Sequence, residues 1–255
     1  MSNFRVKTDG LNLRSLPVVR LDTFITSLPL GHPVNVIGDA ERPGWKEIET
    51  ELEGSMFRGV VSGKYLREPE SEAKEALLSA TVEEWIRFER DEGKEHHDPY
   101  FQFVGEMWQA LGMGLDGRDR EIPWSAAFIS FVVRKAGYQN FRFAAAHARY
   151  IHDAIVKRQQ GAAEAPFWGF RLSEHRPKLG DMVCQWREVP RTFAEAAKKD
   201  AFKSHCDVIV ELKDTFVRAI GGNVRQSVAM KTFPLNSRKF LKNTNRVFAI
   251  LRNNL

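Results

Sequence analysis

The sequence predicts an α+β protein in two parts: a small all-β barrel over residues 1–68, then helices followed by strands over 69–255. Three observations carry this. Apolar residues alternate between Gly and Pro punctuation as far as Leu66, recur at helical spacing between Ala73 and Ala136, and alternate again from Met182 to Asn223. The composition, 43% hydrophobic and 28% charged over 255 residues, is that of a globular chain with enough apolar material for a core in each part, which excludes disorder, collagen and coiled coil. No run approaches about eighteen consecutive apolar residues, so no membrane span is expected. The segment Met1–Lys7 has no apolar h-region, so no Sec signal peptide is expected and synthesis is placed in the cytoplasm. Two cysteines cannot make a disulfide framework or a four-ligand zinc site, and no metal or cofactor is expected.

In the first part, Leu11-Asn12-Leu13-Arg14 alternates and is closed by Pro17. Leu30-Gly31-His32-Pro33 turns into Val34–Gly38, then come Gly44–Glu49, Phe57–Val61 and Lys64–Leu66. Short strands so punctuated make a small barrel. The strings GLNLRS.P, PLGHPVNVIGD, GWKEI and GVVSGKYL look like a bacterial SH3 (SH3b) domain, over nearly the whole segment. They depart from it at Leu16, where glycine is usual, and at Val60, where tryptophan often stands. The resemblance implies binding to cell wall or peptide, or service as a spacer.

Glu68–Glu72 is a polar, Pro-containing joint and the expected domain boundary. Ser71 is a candidate N-cap for a helix through Ala73, Ala76, Leu77 and Ala80. Thr81-Val82-Glu83-Glu84 has capping-box form, so the helix is expected to restart there. Tyr100, Val104, Trp108 and Leu111 space a second helix.

Ile122–Gly137 is a strong helix signal, with Pro123 before its first turn, Gly137 after its last, and Phe128, Ile129, Val132, Val133 and Ala136 as its buried face. Ser125 falls in the first turn, where free amides and the positive dipole end favour an anion. Read alone, Ser125 is an N-cap. Downstream, Pro177–Trp186 turns into a strand, Ser204–Glu211 is a strand beginning at His205, and Phe216–Asn223 is a strand ending in Gly-Gly-Asn. A hydroxyl at a helix start, an imidazole on one strand and a polar group on the next form a nucleophile–base–orienter set.

The ordered strings PWSAAFIS, RPKLGDMV, SHCDVIV and IGGN, spanning about residues 98–235, resemble the pattern of CHAP and NlpC-type amidohydrolases. Those are papain-like bacterial enzymes, with helices packed on an antiparallel sheet, that cut amide bonds in peptidoglycan. By position, the resemblance implies Ser125 as nucleophile in place of the family's cysteine, His205 as general base and Asn223 as the residue orienting the imidazole. A serine cannot be pre-ionised as a thiol can, so the base must take its proton during attack and an anionic orienter is favoured. Asp207, on the strand face of His205, meets that need or contacts substrate. Trp124, Trp186 and His147 are candidate substrate contacts, against core packing for the tryptophans and a packed or capping role for the histidine. Cys206 points away from His205. With Cys184, on a strand that pairs with its own in the family's sheet, it forms either one disulfide after export or two buried thiols. His96-His97-Asp98 is read as loop polarity rather than a metal site.

The formal charge of +5 is uneven: zero over 1–68, −3 over 69–212 and +8 over 213–255. Such a basic segment steers a chain toward polyanions or is merely solvated. Three functions follow from these residues. The first is a peptidoglycan amide hydrolase, an amidase or stem-peptide endopeptidase, acting at the wall or in the periplasm after lysis or export. It would be a lysin or an antibacterial effector, the latter with an immunity protein and a secretion-apparatus partner. The second is an inactive wall-binding pseudoenzyme, or a chain carrying a deliberate Cys→Ser change. Nucleic-acid binding is the weakest, for want of an aromatic platform.

Overall fold

The alternation over the first 67 residues becomes seven short strands: β1 (Phe4–Val6), β2 (Leu11–Arg14), β3 (Phe24–Leu28), β4 (Pro33–Asp39), β5 (Trp45–Leu52), β6 (Ser55–Ser62) and β7 (Leu66–Arg67). The computed structural model describes residues 3–244 and 246–255. All seven strands join one curled antiparallel sheet in the order β3-β2-β6-β5-β4-β1-β7. Alternate side chains, among them Leu11, Leu13, Leu28, Val34, Ile48 and Val61, fill its core. Arg14 is buried too, donating to the Arg20 carbonyl at 2.6 Å and to Thr23 Oγ1 at 3.2 Å. Leu16 is exposed and Val60 buried.

The chain divides into two units, Met1–Glu75 and Ala76–Leu255. Arg67 grips Glu75 at 2.5 and 3.0 Å, which binds the first turn of the following helix into the first unit. That helix, α1 (Glu72–Arg87), runs unbroken through Thr81. The expected restart there is corrected: Thr81 is fully buried and its hydroxyl donates to the Leu77 carbonyl at 2.7 Å, one turn back, instead of capping new amides.

The second unit continues with α2 (Tyr100–Gln109), α3 (Ser125–Lys135), α4 (His147–Gln159), β8 (Phe167–Phe170), β9 (Met182–Trp186), a short α5 (Phe193–Ala196), β10 (Ser204–Leu212), β11 (Phe216–Val224), β12 (Ser227–Pro234) and β13 (Val247–Asn253). Six of its strands form an antiparallel sheet ordered β12-β11-β10-β9-β13-β8. Helix α3 packs on β11 and β10, and α4 on β8 and β10. Phe128, Ile129, Val132 and Val133 are fully buried, as the helical spacing predicts, and Gly137 ends the helix at φ +81°. Asp181 of the Gly-Asp turn is a structural tie. Its Oδ2 accepts from His175 Nε2 and the Lys178 amide, each at 2.8 Å, and its Oδ1 from the Asn253 amide at 2.9 Å. Among the described residues no helix is long and apolar enough to cross a membrane.

Candidate functional site

Two helices of the second unit begin side by side. Ser125 is the first residue of α3 and His147 the first of α4, and Ser125 Oγ lies 2.7 Å from His147 Nε2. The N-cap of α3 is Trp124, with no side-chain cap. The N-cap reading of Ser125 is thereby corrected: its hydroxyl is committed to an imidazole, not to the amides of its own helix. Those amides remain available, because the first hydrogen bond returning into the helix comes from Phe128 to the Trp124 carbonyl. The positive ends of two helix dipoles thus meet at one hydroxyl. On the far side of the ring, Tyr150 Oη hydrogen-bonds His147 Nδ1 from one turn along α4. Burial, and then the charges of His205, Arg187 and Lys231, push the His147 pKa well below its ordinary 6.5, so the ring is neutral at physiological pH.

Beside this pair stands a second one. The ring centres of His147 and His205 are 5.1 Å apart. His205 Nε2 donates to Asp207 Oδ1 at 3.0 Å, and Asp207 Oδ2 is 2.7 Å from Lys231 Nζ. Arg187 Nη2 donates to His205 Nδ1 at 3.1 Å. A guanidinium can only donate, so Nδ1 carries the lone pair and Nε2 the proton. Burial lowers the His205 pKa and Asp207 only partly restores it. Burial alone would raise Asp207, but Lys231 and then His205 hold it below the usual carboxylate range.

The Gly-Gly of β11 makes room for both groups. A Cβ at Gly221 would sit 2.1 Å from Asp207 Oδ1 and 2.9 Å from His205 Nε2, and one at Gly222 would sit 2.4 Å from Phe128 Cβ in α3. Only glycine admits this close approach.

Of the residues singled out in the sequence, Ser125, His147, His205 and Asp207 come together in one buried cluster. The hydroxyl's partner is His147, which the sequence marked for substrate contact. His205, expected as its partner, has both ring nitrogens engaged elsewhere. Asn223, expected to orient that ring, does not reach it, because Asp207 and Arg187 hold the two nitrogens; it adopts φ +52° at the end of β11 and lines the cleft instead. Trp124 is 2% exposed, stacks on Phe88 at 5.8 Å and donates to Glu95 Oε2 at 2.6 Å, so it is core rather than a stacking platform. Trp186 does line a cleft. Cys184 and Cys206 face each other across β9 and β10 as free, fully buried thiols, Sγ to Sγ 3.4 Å. Among the described residues no group of three His, Cys, Asp or Glu could hold a metal ion. Tyr150, Arg187 and Lys231 were not singled out. The i, i+3 spacing of His147 and Tyr150 was a readable signal for the first, whereas the other two depend on tertiary placement alone.

Of the cluster, His205 lines a cleft of about 440 Å³ together with Asn223, Trp186, Arg187, Lys231 and Arg246, while Ser125 and His147 are buried and do not line it. The N-terminal unit has its own cleft of about 490 Å³, between Trp45, Tyr65, Arg14 and Arg42, which neither Leu16 nor Val60 lines.

The family model described as "Uncharacterized protein conserved in bacteria (DUF2272)" matches residues 93–252, which contain every residue of the cluster. No curated protein matches the chain. Among solved structures, NlpC2 from Trichomonas vaginalis is similar over 99% of this chain and 73% of that one, at 13% identity; its TM-score of 0.28 is too low to bear on fold or activity.

Proposed function

Since the chain belongs to the bacterial family described as DUF2272, we propose from the site's own geometry that residues 76–255 form a serine hydrolase cutting an amide bond of peptidoglycan. One observation carries the reading: Ser125 Oγ lies 2.7 Å from His147 Nε2 where two helix N-termini meet. Ser125, inside the first turn behind the N-cap Trp124, spends its hydroxyl on none of the helix's own amides. It is paired with a neutral imidazole whose other nitrogen is held by Tyr150.

In the proposed reaction Ser125 Oγ bonds to the amide carbonyl carbon while its proton passes to His147 Nε2. The carbonyl electrons move onto oxygen. The free amides at the start of α3 receive that oxyanion, and both helix dipoles favour it. Collapse breaks the C–N bond, and the leaving nitrogen takes the proton from His147, giving an amine and an acyl-serine ester. Water, losing a proton to His147, then attacks the ester, and expulsion of Ser125 with that proton completes the cycle. Asp207 and Arg187, bonded to its two nitrogens, hold the His205 ring in place beside His147. His205 and Asp207 are positioning residues here.

The wall as substrate is supported by the sequence resemblance to CHAP and NlpC-type enzymes. The SH3b resemblance of the first unit supports docking there. In that setting the protein acts outside the cytoplasm, as a lysin or as an exported effector countered by an immunity protein. The test is mass spectrometry of peptidoglycan incubated with wild type and Ser125→Ala. Release of new amine and carboxyl termini by wild type alone is expected. No release by either protein overturns the hydrolase and leaves wall binding.

A further inference from the structure

The cleft beside His205 has a one-sided charge. Among the described residues its lining includes Arg187, Arg225, Lys231 and Arg246 and no acidic side chain. Two of these cations are neutralised within the fold, Arg225 by Asp91 at 3.2 Å and Lys231 by Asp207 at 2.7 Å. Arg187 and Arg246 are not. Arg187 donates to a neutral imidazole nitrogen, and Arg246 lies over the Trp186 ring, 5.2 Å from its centre. Among the described residues, neither forms an ion pair with a carboxylate. Two forked donors at the mouth of a cleft, unneutralised and held by ring contacts, are arranged for a planar anion.

The cleft also continues. Trp186 is shared with a second cavity of about 760 Å³, whose lining includes Pro190, Phe193 and Phe248. A ligand crossing the Trp186 ring would lay a charged group among the arginines and an apolar stretch against Phe193 and Phe248. That sequence of surfaces fits a peptide with a free carboxylate. Arg171, Arg191 and Glu195 also line that second cavity, but Arg171 is paired with Glu174 and Arg191 with Glu195, so the anion's place is at Arg187 and Arg246.

We propose that this trough binds the free carboxylate of a peptide segment through Arg187 and Arg246, with the adjoining residue packed across Trp186. The assignment deepens the hydrolase reading by naming the substrate class the site selects.

The test is calorimetric titration of full-length Ser125→Ala protein, which cannot turn substrate over by way of Ser125. The probes are acetyl-Ala-Ala-Glu-Ala as the free acid and acetyl-Ala-Ala-Gln-Ala as the amide, with inorganic phosphate as competitor. The acid is expected to bind at least about tenfold tighter than the amide, the value of a charge-assisted hydrogen bond. Adding either Arg187→Gln or Arg246→Gln should remove most of that difference, and circular dichroism should remain unchanged. Equal binding of acid and amide overturns the proposal, as does saturable binding of neither. Phosphate competing as well as the acid overturns the choice of a carboxylate. The two readings fail separately: acid-selective binding with no wall cleavage by wild type sinks the hydrolase alone, and wall cleavage with charge-blind binding sinks the carboxylate site alone.

Discussion

Replacing Gly221 with alanine adds one methyl group where there is no room for it. The new Cβ would fall 2.1 Å from Asp207 Oδ1, inside any permitted contact. The backbone at this position has negative φ, so alanine brings no conformational strain and the whole effect is steric. Asp207 is fully buried, so the carboxylate can yield only by leaving His205 at 3.0 Å and Lys231 at 2.7 Å. Parting a buried charge from its partners costs about 3–5 kcal/mol. The assay is urea denaturation followed by tryptophan fluorescence, in wild type and in an Asp207→Ala background. There the clashing oxygen is gone and the methyl meets His205 Nε2 at 2.9 Å alone, so it should cost clearly less than in wild type. The difference between backgrounds is the coupling between the two positions. A Gly221→Ala cost below about 1 kcal/mol in wild type would refute the reasoning, as would an equal cost in both backgrounds.

Other outcomes follow from the same geometry. On any substrate the enzyme cleaves, His147→Ala should lower kcat by about 10⁴-fold or more, and His205→Ala by less; the reverse order would return the base to position 205. Both imidazoles have native pKa values below the ordinary 6.5, so the native state takes up protons later than the unfolded chain as pH falls. Their contribution to stability is complete above pH 6.5 and is lost below it, by up to about 1.4 kcal/mol per pH unit for each ring. Urea midpoints between pH 7 and pH 5 check this, and a midpoint rising as pH falls would contradict it. The acid limb of kcat/KM should likewise lie below 6.5, since His147 must be neutral to accept a proton. Cys184 and Cys206 are both fully buried, and burial pushes the Cys206 thiol well up, so neither should react rapidly with Ellman's reagent until the protein is unfolded.

Much of this arrangement could be read from residues alone because it rests on short-range patterns. The strands around Leu11 and Met182, the helix through Phe128 and its end at Gly137 follow from apolar period and glycine. The i, i+2 relation of His205 and Asp207 follows from the pleat. What was misread depends on events no period encodes. Thr81 looks like a cap because its hydroxyl can serve either a new helix or the turn behind it, and burial decided for the second. Asn223 was placed on His205 by resemblance, whereas Arg187, arriving from the end of β9, and Asp207 had already filled both ring nitrogens. His147 was a matter of distance. It lies 22 positions from Ser125, and only the packing of α3 and α4 over shared strand β10 brings their first residues together.

The sheet of the second unit closes out of chain order. Strand β13 lies between β9 and β8, and among the described strands β8 pairs with β13 alone, through contacts such as Ile250↔Phe170. Helix α4, which carries His147 and Tyr150, rests on β8. A chain stopped short of β13 would hold both helices and every side chain of the cluster yet lack the strand that closes the floor beneath them. The floor beneath the cluster is therefore completed by residues far along the chain from the helices that carry it.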